Sequence, residues 1–493
     1  MSRPNVLLFV FDTLRPDFLS CYQDTTRVET NTLDQLADDG VLFERAFSAG
    51  HHTRISHGSL FTGQYPSENG LITGHASISP ESPYLPEHLS VAGYETFGIT
   101  GPSLISSDYG FERGYDTYLE PYYLDIKPAR KREYFETVAN DPLVRKDFVR
   151  LLRDGEDDLT NLKFNYLERA MNDAGSDPFY GFINFTTVHS DYDPPRPYKE
   201  EITEQLEDVE YSRPRWQCFE YLASLFDRSL ERLEGENVRP SNVFQAAAGR
   251  GGEYHGNQDW LTDEEMEILR TWYAGCLKYL DDQLGQFVEY LKESGQYEDT
   301  ILLLTSDHGE YFGEHGLLYH GDFLFDQMIH IPLIITGGPV EPDRRSDLVS
   351  HIDVFDTVAD LVDIESSPKT TGHSMFGGET RDAIFAEYGV REDYGRVSRY
   401  SVSLTSEELR QRELGVKCVR TDNYKLTLRS DGSIRLYSLP GETKITDPDA
   451  AVRDRLLERL DEELGLDFVE STFVDTDDIT AEIEENLEDL GYI

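Results

Sequence analysis

Basic residues are scarce in this chain: 45 lysines and arginines stand against 94 aspartates and glutamates in 493 residues, a net charge of −49. A surface so poor in cations argues against non-specific binding to nucleic acid, which depends on basic groups displacing counterions. Cysteine is scarcer still. The four present, Cys21, Cys218, Cys276 and Cys418, are widely scattered with no short repeated spacing. That excludes a disulfide framework or a cysteine zinc site and makes a reduced compartment the default. No apolar run approaches the length of a membrane span. The first strand begins by Asn5, which leaves no room for the basic and apolar regions of a signal peptide. The expected location is therefore cytoplasmic, and no internal repeat is visible.

The acid itself is spread along the chain among Tyr, Phe, Leu and Trp, which argues against disorder. A proteome adapted to high internal salt would produce this balance, because excess carboxylates keep a surface hydrated. Such a protein screens its own repulsion, so the charge does not exclude a small anionic substrate.

Two distant segments end alike. Val6-Leu7-Leu8-Phe9-Val10-Phe11 runs into Asp12, and Ile301-Leu302-Leu303-Leu304-Thr305-Ser306 runs into Asp307-His308-Gly309. Continuous apolar runs of this length suit strands buried on both faces, as in a parallel sheet. Ligand sites in such sheets lie beyond the carboxyl ends of the strands. Two carboxylates and an imidazole delivered there make a site for one divalent cation, with manganese, magnesium, calcium and zinc all open.

Alternating strands and helices imply an α/β sandwich. Helices are expected over 30–40, 85–92, 208–235, 262–294 and 352–363, with further strands over 41–43, 94–100, 179–187 and 331–336. A polar stretch over 121–178 contains the basic cluster 127–132, read as a solvated helix face. Gly249, Gly251 and Gly252 mark a break. From about 385 the texture changes to short antiparallel strands (397–404, 415–420, 425–429, 434–438), with a hairpin turn at Ser430-Asp431-Gly432-Ser433. Acidic helices close the chain. The expected division is a catalytic unit over 1–385 and a small antiparallel sheet with a helical tail over 386–493.

Between the two strand ends lies His51-His52-Thr53-Arg54-Ile55-Ser56-His57-Gly58-Ser59. Small hydroxyl residues ahead of a short apolar run suit a helix N-terminus, where dipole and backbone N–H groups favour an anion or alkoxide. The same residue types are also ordinary helix caps.

Together these stretches resemble the sulfatase family of the alkaline phosphatase superfamily. The resemblance runs in order through Pro4-Asn5-Val6-Leu7-Leu8 to Asp12, Thr32-Leu33-Asp34-Gln35-Leu36 to Phe43, and Ser59-Leu60-Phe61-Thr62-Gly63 with Tyr65-Pro66. It continues through Tyr279-Leu280-Asp281-Asp282-Gln283-Leu284-Gly285, Ser306-Asp307-His308-Gly309-Glu310 and Gly313-Glu314-His315-Gly316. It implies an alkaline phosphatase-like α/β/α sandwich with a mostly parallel sheet, and Asp12, Asp307 and His308 as metal ligands. Where many sulfatases have a second adjacent aspartate, this chain has Thr13. The resemblance also matches His189, in Thr187-Val188-His189-Ser190-Asp191-Tyr192-Asp193-Pro194-Pro195, to a histidine that contacts the substrate anion. His320 falls near the place of a substrate-binding lysine, with His315 a weaker candidate for binding.

Sulfatases of the familiar kind oxidise a Cys or Ser, in C/S-x-P-x-R, to formylglycine. Here Thr53 stands at that position, Ile55 at the proline and His57 at the arginine. Threonine cannot become formylglycine because its β-carbon bears a methyl group. Phosphodiesterases and phosphoglycerol transferases of the superfamily use a metal-activated threonine or serine directly, which makes Thr53 the expected nucleophile and His57 a candidate to orient it or meet the substrate. The lysine and histidine usual after the strand 94–100 are missing, replaced by Gly101-Pro102-Ser103-Leu104. The expected activity is hydrolysis of small phosphate or sulfate esters, carbohydrate-linked ones included. A transferase passing the phosphoryl-linked group to a sugar or lipid hydroxyl, and a sulfatase-like binding protein without activity, are the alternatives. Oligomeric state is not legible.

Overall fold

The computed structural model describes residues 3–73, 77–121, 142–146, 159–189, 192, 194–204, 263–321, 323–390 and 411–468. The apolar run of β1 (Asn5–Phe11) lies at the centre of a nine-stranded sheet, and both of its faces are covered. Leu7, Phe9 and Phe11 pack with Leu33 and Leu36 of α1 (Asn31–Asp38) and Phe287 of the long α5 (Asp263–Glu293). Val6, Leu8 and Val10 face the other way, with Phe61 of α2 (Thr53–Thr62), Leu89 of α3 (Leu85–Val91) and Phe355 of α6 (Asp353–Leu361). Each such side chain contributes about 1.5–3 kcal/mol by leaving water. A strand with no polar face can sit only between two helical layers.

The neighbours of β1 are β5 (Phe179–Phe185) and β6 (Thr300–Thr305), both parallel to it. Beyond β5 lie β3 (Glu95–Ile99) and β4 (Thr117–Leu119), again parallel. On the other side come β10 (Leu333–Thr336), β2 (Val41–Phe47) and the edge strand β11 (Asp343–Ser350). Strand β10 is antiparallel to both β6 and β2, so the sheet is mixed but mostly parallel. The run expected over 331–336 is broken at Pro332, which has no N–H to give a ladder. Its first part, β9 (His330–Ile331), turns instead onto β2.

Two stretches of the family pattern meet structurally rather than chemically. Asp281 on α5 accepts hydrogen bonds from Thr32 N (3.0 Å) and Leu33 N (2.9 Å), capping α1 from another helix. Gly285 lets the two helices close, since a Cβ there would stand 2.7 Å from Thr32 Oγ1.

A separate, fully antiparallel sheet follows: β12 (Ile384–Tyr388), β13 (Val416–Arg420), β14 (Tyr424–Arg429), β15 (Ile434–Ser438) and β16 (Thr443–Lys444). The expected turn forms between β14 and β15, where Arg429 N bonds Ser433 O and Gly432 takes φ of 81°. Helix α7 (Ala450–Leu464) packs Leu456 and Leu460 on this sheet. An ionic cluster joins it to the larger unit. Asp326 receives Lys425 Nζ at 2.9 Å and Arg420 Nη2 at 3.0 Å, while Glu442 binds both Lys425 Nζ (2.7 Å) and Asp326 N (2.8 Å).

Among the described residues no helix is long and apolar enough to cross a membrane. The helix expected over 208–235, the glycines at 249–252, the basic cluster 127–132, the strand expected over 397–404 and the tail beyond 468 lie outside the described residues.

Candidate active site

Because β1, β5, β6 and β3 are parallel and adjacent, their carboxyl ends fall on one edge of the sheet. Asp12 directly follows β1, and its backbone N–H donates to Phe185 O, the last residue of β5 (2.8 Å). Thr13 then takes a left-handed φ of 64°, unusual for a β-branched residue. That turn aims Thr13 N at Asp307 Oδ1 (3.2 Å), which also accepts from His308 N (2.9 Å). One oxygen of Asp307 is thus fully used. The other, Oδ2, is buried and has no hydrogen-bond partner.

His308 has its tautomer set by its own chain. Nδ1 lies 2.9 Å from Gly309 O, a group that can only accept, so Nδ1 carries a hydrogen and Nε2 is the nitrogen turned to the carboxylates. Nε2 lies 3.6 Å from Asp307 Oδ2 and 3.9 Å from Asp12 Oδ1. One ligand atom from each of the three residues falls within 4.8 Å of the others, and all three residues are buried. Two buried carboxylates side by side are costly without a cation. The unpartnered Asp307 Oδ2 and the O, O, N donor set fit a divalent ion.

The hydroxyl of Thr53 joins this group, with Oγ1 3.3 Å from His308 Nε2. Thr53 is the first residue of α2 and His52 is its N-cap, so the hydroxyl is not capping the helix. His57 lies one turn on, where its Nδ1 donates to Thr53 O (2.7 Å) and its Nε2 accepts from Asn184 Nδ2 (3.4 Å). Burial pushes its imidazole pKa down. Packed edge-on to Phe182, His57 holds the backbone of Thr53 rather than its hydroxyl.

His189 and His320 are brought to the same cluster. The ring of His320 lies 4.7 Å from that of His308 and 4.8 Å from that of His189. Burial drives the His320 pKa down as well, helped by the neighbouring histidines, which keeps the ring neutral. His315 goes elsewhere: its Nε2 bonds Gln327 Oε1 (3.0 Å) and its ring stacks on Phe325.

Two buried charged residues were given no role from sequence. Lys163, on α4 (Thr160–Ala174), is 1% exposed and carries its ammonium to the ends of β3 and β5, where it donates to Thr186 Oγ1 (3.2 Å). A Cβ on Gly101 would stand 2.7 Å from that nitrogen. A cation therefore borders the loop after β3 although the loop's own sequence has none. Nothing in the spacing of a polar helix signals this. Glu310 is the second, wholly buried, with its pKa raised to about 8 by burial. The sequence placed it inside the matched stretch Ser306-Asp307-His308-Gly309-Glu310 without giving it a task.

The sulfatase family pattern matches residues 4–364. The chain is 25% identical over 496 residues to an uncharacterized sulfatase, YidJ, of Escherichia coli (strain K12), covering 94% of this chain and 88% of that protein. It is 24% identical over 418 residues to a choline-sulfatase of Rhizobium meliloti (strain 1021), covering 80% and 75%. Among solved structures, the phosphonate monoester hydrolase of Agrobacterium radiobacter superposes with a TM-score of 0.65 at 21% identity, over 94% of this chain and 95% of that one.

Proposed function

This chain belongs to the sulfatase family, and on that premise we propose that it is a divalent-metal-dependent hydrolase of anionic esters with Thr53 as nucleophile. The observation that carries the reading is the Thr53 hydroxyl 3.3 Å from His308 Nε2, beside the buried, unpartnered Asp307 Oδ2. Asp12, Asp307 and His308 would hold the cation, whose chemistry is to lower a hydroxyl pKa and neutralise charge on a transferred group. Thr53 sits at the positive end of α2, and His57 fixes its backbone through the carbonyl.

In the first step Thr53 Oγ1 bonds to the central phosphorus or sulfur while the bond to the ester oxygen breaks. The threonine proton passes to solvent, and the departing oxygen takes a proton relayed through His189 or His320. Water then cleaves the threonine ester, which restores the hydroxyl and releases the acid anion: phosphate, phosphonate, phosphate monoester or sulfate according to the ester. The methyl group of Thr53 closes the formylglycine route, so this mechanism favours phosphate or phosphonate esters, although relatives carry sulfatase names. The same proposal places the enzyme in a salt-rich cytoplasm and treats the sheet β12–β16 as a subdomain beside the catalytic unit.

The test is purified protein in high salt with manganese, offered matched nitrophenyl sulfate, phosphate monoester and phosphate diester. Phosphoester cleavage is expected to fall by about 10³-fold or more in Thr53→Ala and to survive in part in Thr53→Ser. Sulfate cleavage that persists in Thr53→Ala would mean that another group attacks.

A further inference from the structure

Beside the metal ligands, His320 ends a chain of buried polar groups whose other members, Tyr192 and Glu310, the mechanism above does not use. Tyr192 donates its hydroxyl to Glu310 Oε2 at 2.8 Å. The other oxygen, Oε1, lies 3.2 Å from His320 Nδ1. The carboxyl group is 0% exposed and the His320 side chain 1%. His320 Nε2, on the far side of the ring, is buried and has no hydrogen-bond partner. The rings of His308 and His189 are its neighbours there.

Leaving a buried ring nitrogen unpaired costs about 1–3 kcal/mol, so its orientation must be held from elsewhere. An imidazole can turn about its side-chain bonds unless one nitrogen is committed. Here Nδ1 is committed to Glu310, and Glu310 is itself held at its second oxygen by Tyr192 and at its carbonyl by Arg15 Nη1 (2.8 Å). Tyr319 stacks on the His320 ring at 3.8 Å and limits its tilt.

We infer that Glu310, braced by Tyr192, is a positioning residue that fixes His320 so that Nε2 meets an oxygen of the bound ester. The inference rests on reading the site as an ester-hydrolysing centre. It assigns a task to the tyrosine of the segment 189–195 and to a carboxylate outside the ligand set. Glu310 touches neither substrate nor cation; its effect passes through His320.

The experiment is a double-substitution cycle on the metal-loaded enzyme, with kcat and KM measured for Glu310→Ala, His320→Ala and the pair. Glu310→Ala is expected to lower kcat by about 10- to 100-fold with KM changed by less than about threefold. The pair should be no worse than His320→Ala alone, and Glu310→Gln, which keeps an acceptor at Oε1, should restore most of the rate. A loss that multiplies in the pair, or no loss at all, overturns the inference. Tyr192→Phe serves if Glu310→Ala fails to fold: a smaller loss, absent in the His320→Ala background, is expected, and an equal loss in both backgrounds overturns it. Nitrogen-15 spectra of the histidine rings give a readout without turnover. The His320 signals, identified by their absence in His320→Ala, should shift in Glu310→Gln, and unshifted signals overturn the inference. Activity that survives Thr53→Ala while this coupling persists would sink the nucleophile and leave the positioning intact.

Discussion

Replacing Asp12 by asparagine should stabilise the fold without metal, and that advantage should largely vanish once metal is added. Asp12 and Asp307 are 1% and 0% exposed, and their ligand atoms lie within 4.8 Å. At an effective dielectric of ~20, two unit charges at that distance repel by about 3.5 kcal/mol. With a chelator present, Asp12→Asn removes that repulsion and stabilises the fold by up to ~3 kcal/mol, less any share that protonation already relieves. With cation at ~100 times its Kd, the wild type gains about 2.7 kcal/mol, an increment the variant should largely lose. The assay is equilibrium denaturant unfolding at pH 8, in EDTA and across a manganese titration, at one fixed salt concentration. The buried pair is screened little by that salt. Equal midpoints in EDTA, together with an undiminished manganese shift in the variant, would refute the placing of Asp12 at a cation site.

Lys163→Met should raise KM for an anionic ester by about 10-fold with a smaller change in kcat, because one charge-assisted contact contributes ~1.5 kcal/mol. Gly101→Ala should mimic it without deleting the charge, since its Cβ would stand 2.7 Å from Lys163 Nζ and 3.0 Å from Thr186 Oγ1; unchanged KM in both would exclude Lys163 from binding. At Asp326 burial alone would raise the pKa, but Lys425 and Arg420 outweigh it and hold the carboxyl below the usual range. A depressed folded pKa contributes stability that is complete above ~4, the unfolded value, and fades as pH falls through the folded one. Asp326→Asn should therefore be less stable by ~3 kcal/mol at pH 7, with the gap to wild type closing in acid. A gap that stays constant from neutral to strongly acidic pH in urea unfolding would contradict this.

Thr53 was reached only through the resemblance, its helix start being an ordinary cap pattern, whereas the meeting of Asp12, Asp307 and His308 was legible because each follows a doubly buried strand. Their convergence follows from the parallel sheet, since β1 and β6 pair in register from Asn5↔Thr300 to Val10↔Thr305. His57 was legible as a candidate to orient Thr53, but its bond to Thr53 O depends on the helical reach back from position 57 and was not. Lys163 stayed hidden, and Glu310 stood in a matched stretch without a task, because long-range burial, not local pattern, distinguishes them from surface charges. The edge strand β11 was missed for a related reason. Its first five residues, Asp343-Arg344-Arg345-Ser346-Asp347, are mostly exposed, and charge on an edge is how a sheet avoids further pairing. The mixed direction of β10 was equally invisible, because an apolar strand buried on both faces reads the same either way.

The cluster of Asp326, Lys425, Arg420 and Glu442 has a consequence for ionic strength. Mobile ions weaken attraction between charges that they can surround, and Lys425 and Glu442 have side chains only 1% and 2% exposed. The exterior, with its net −49, is in the reverse position: its self-repulsion is what added salt relieves. Diluting the salt should thus swell and loosen the periphery first, while the seam between the two sheets holds like a rivet that brine neither loosens nor tightens.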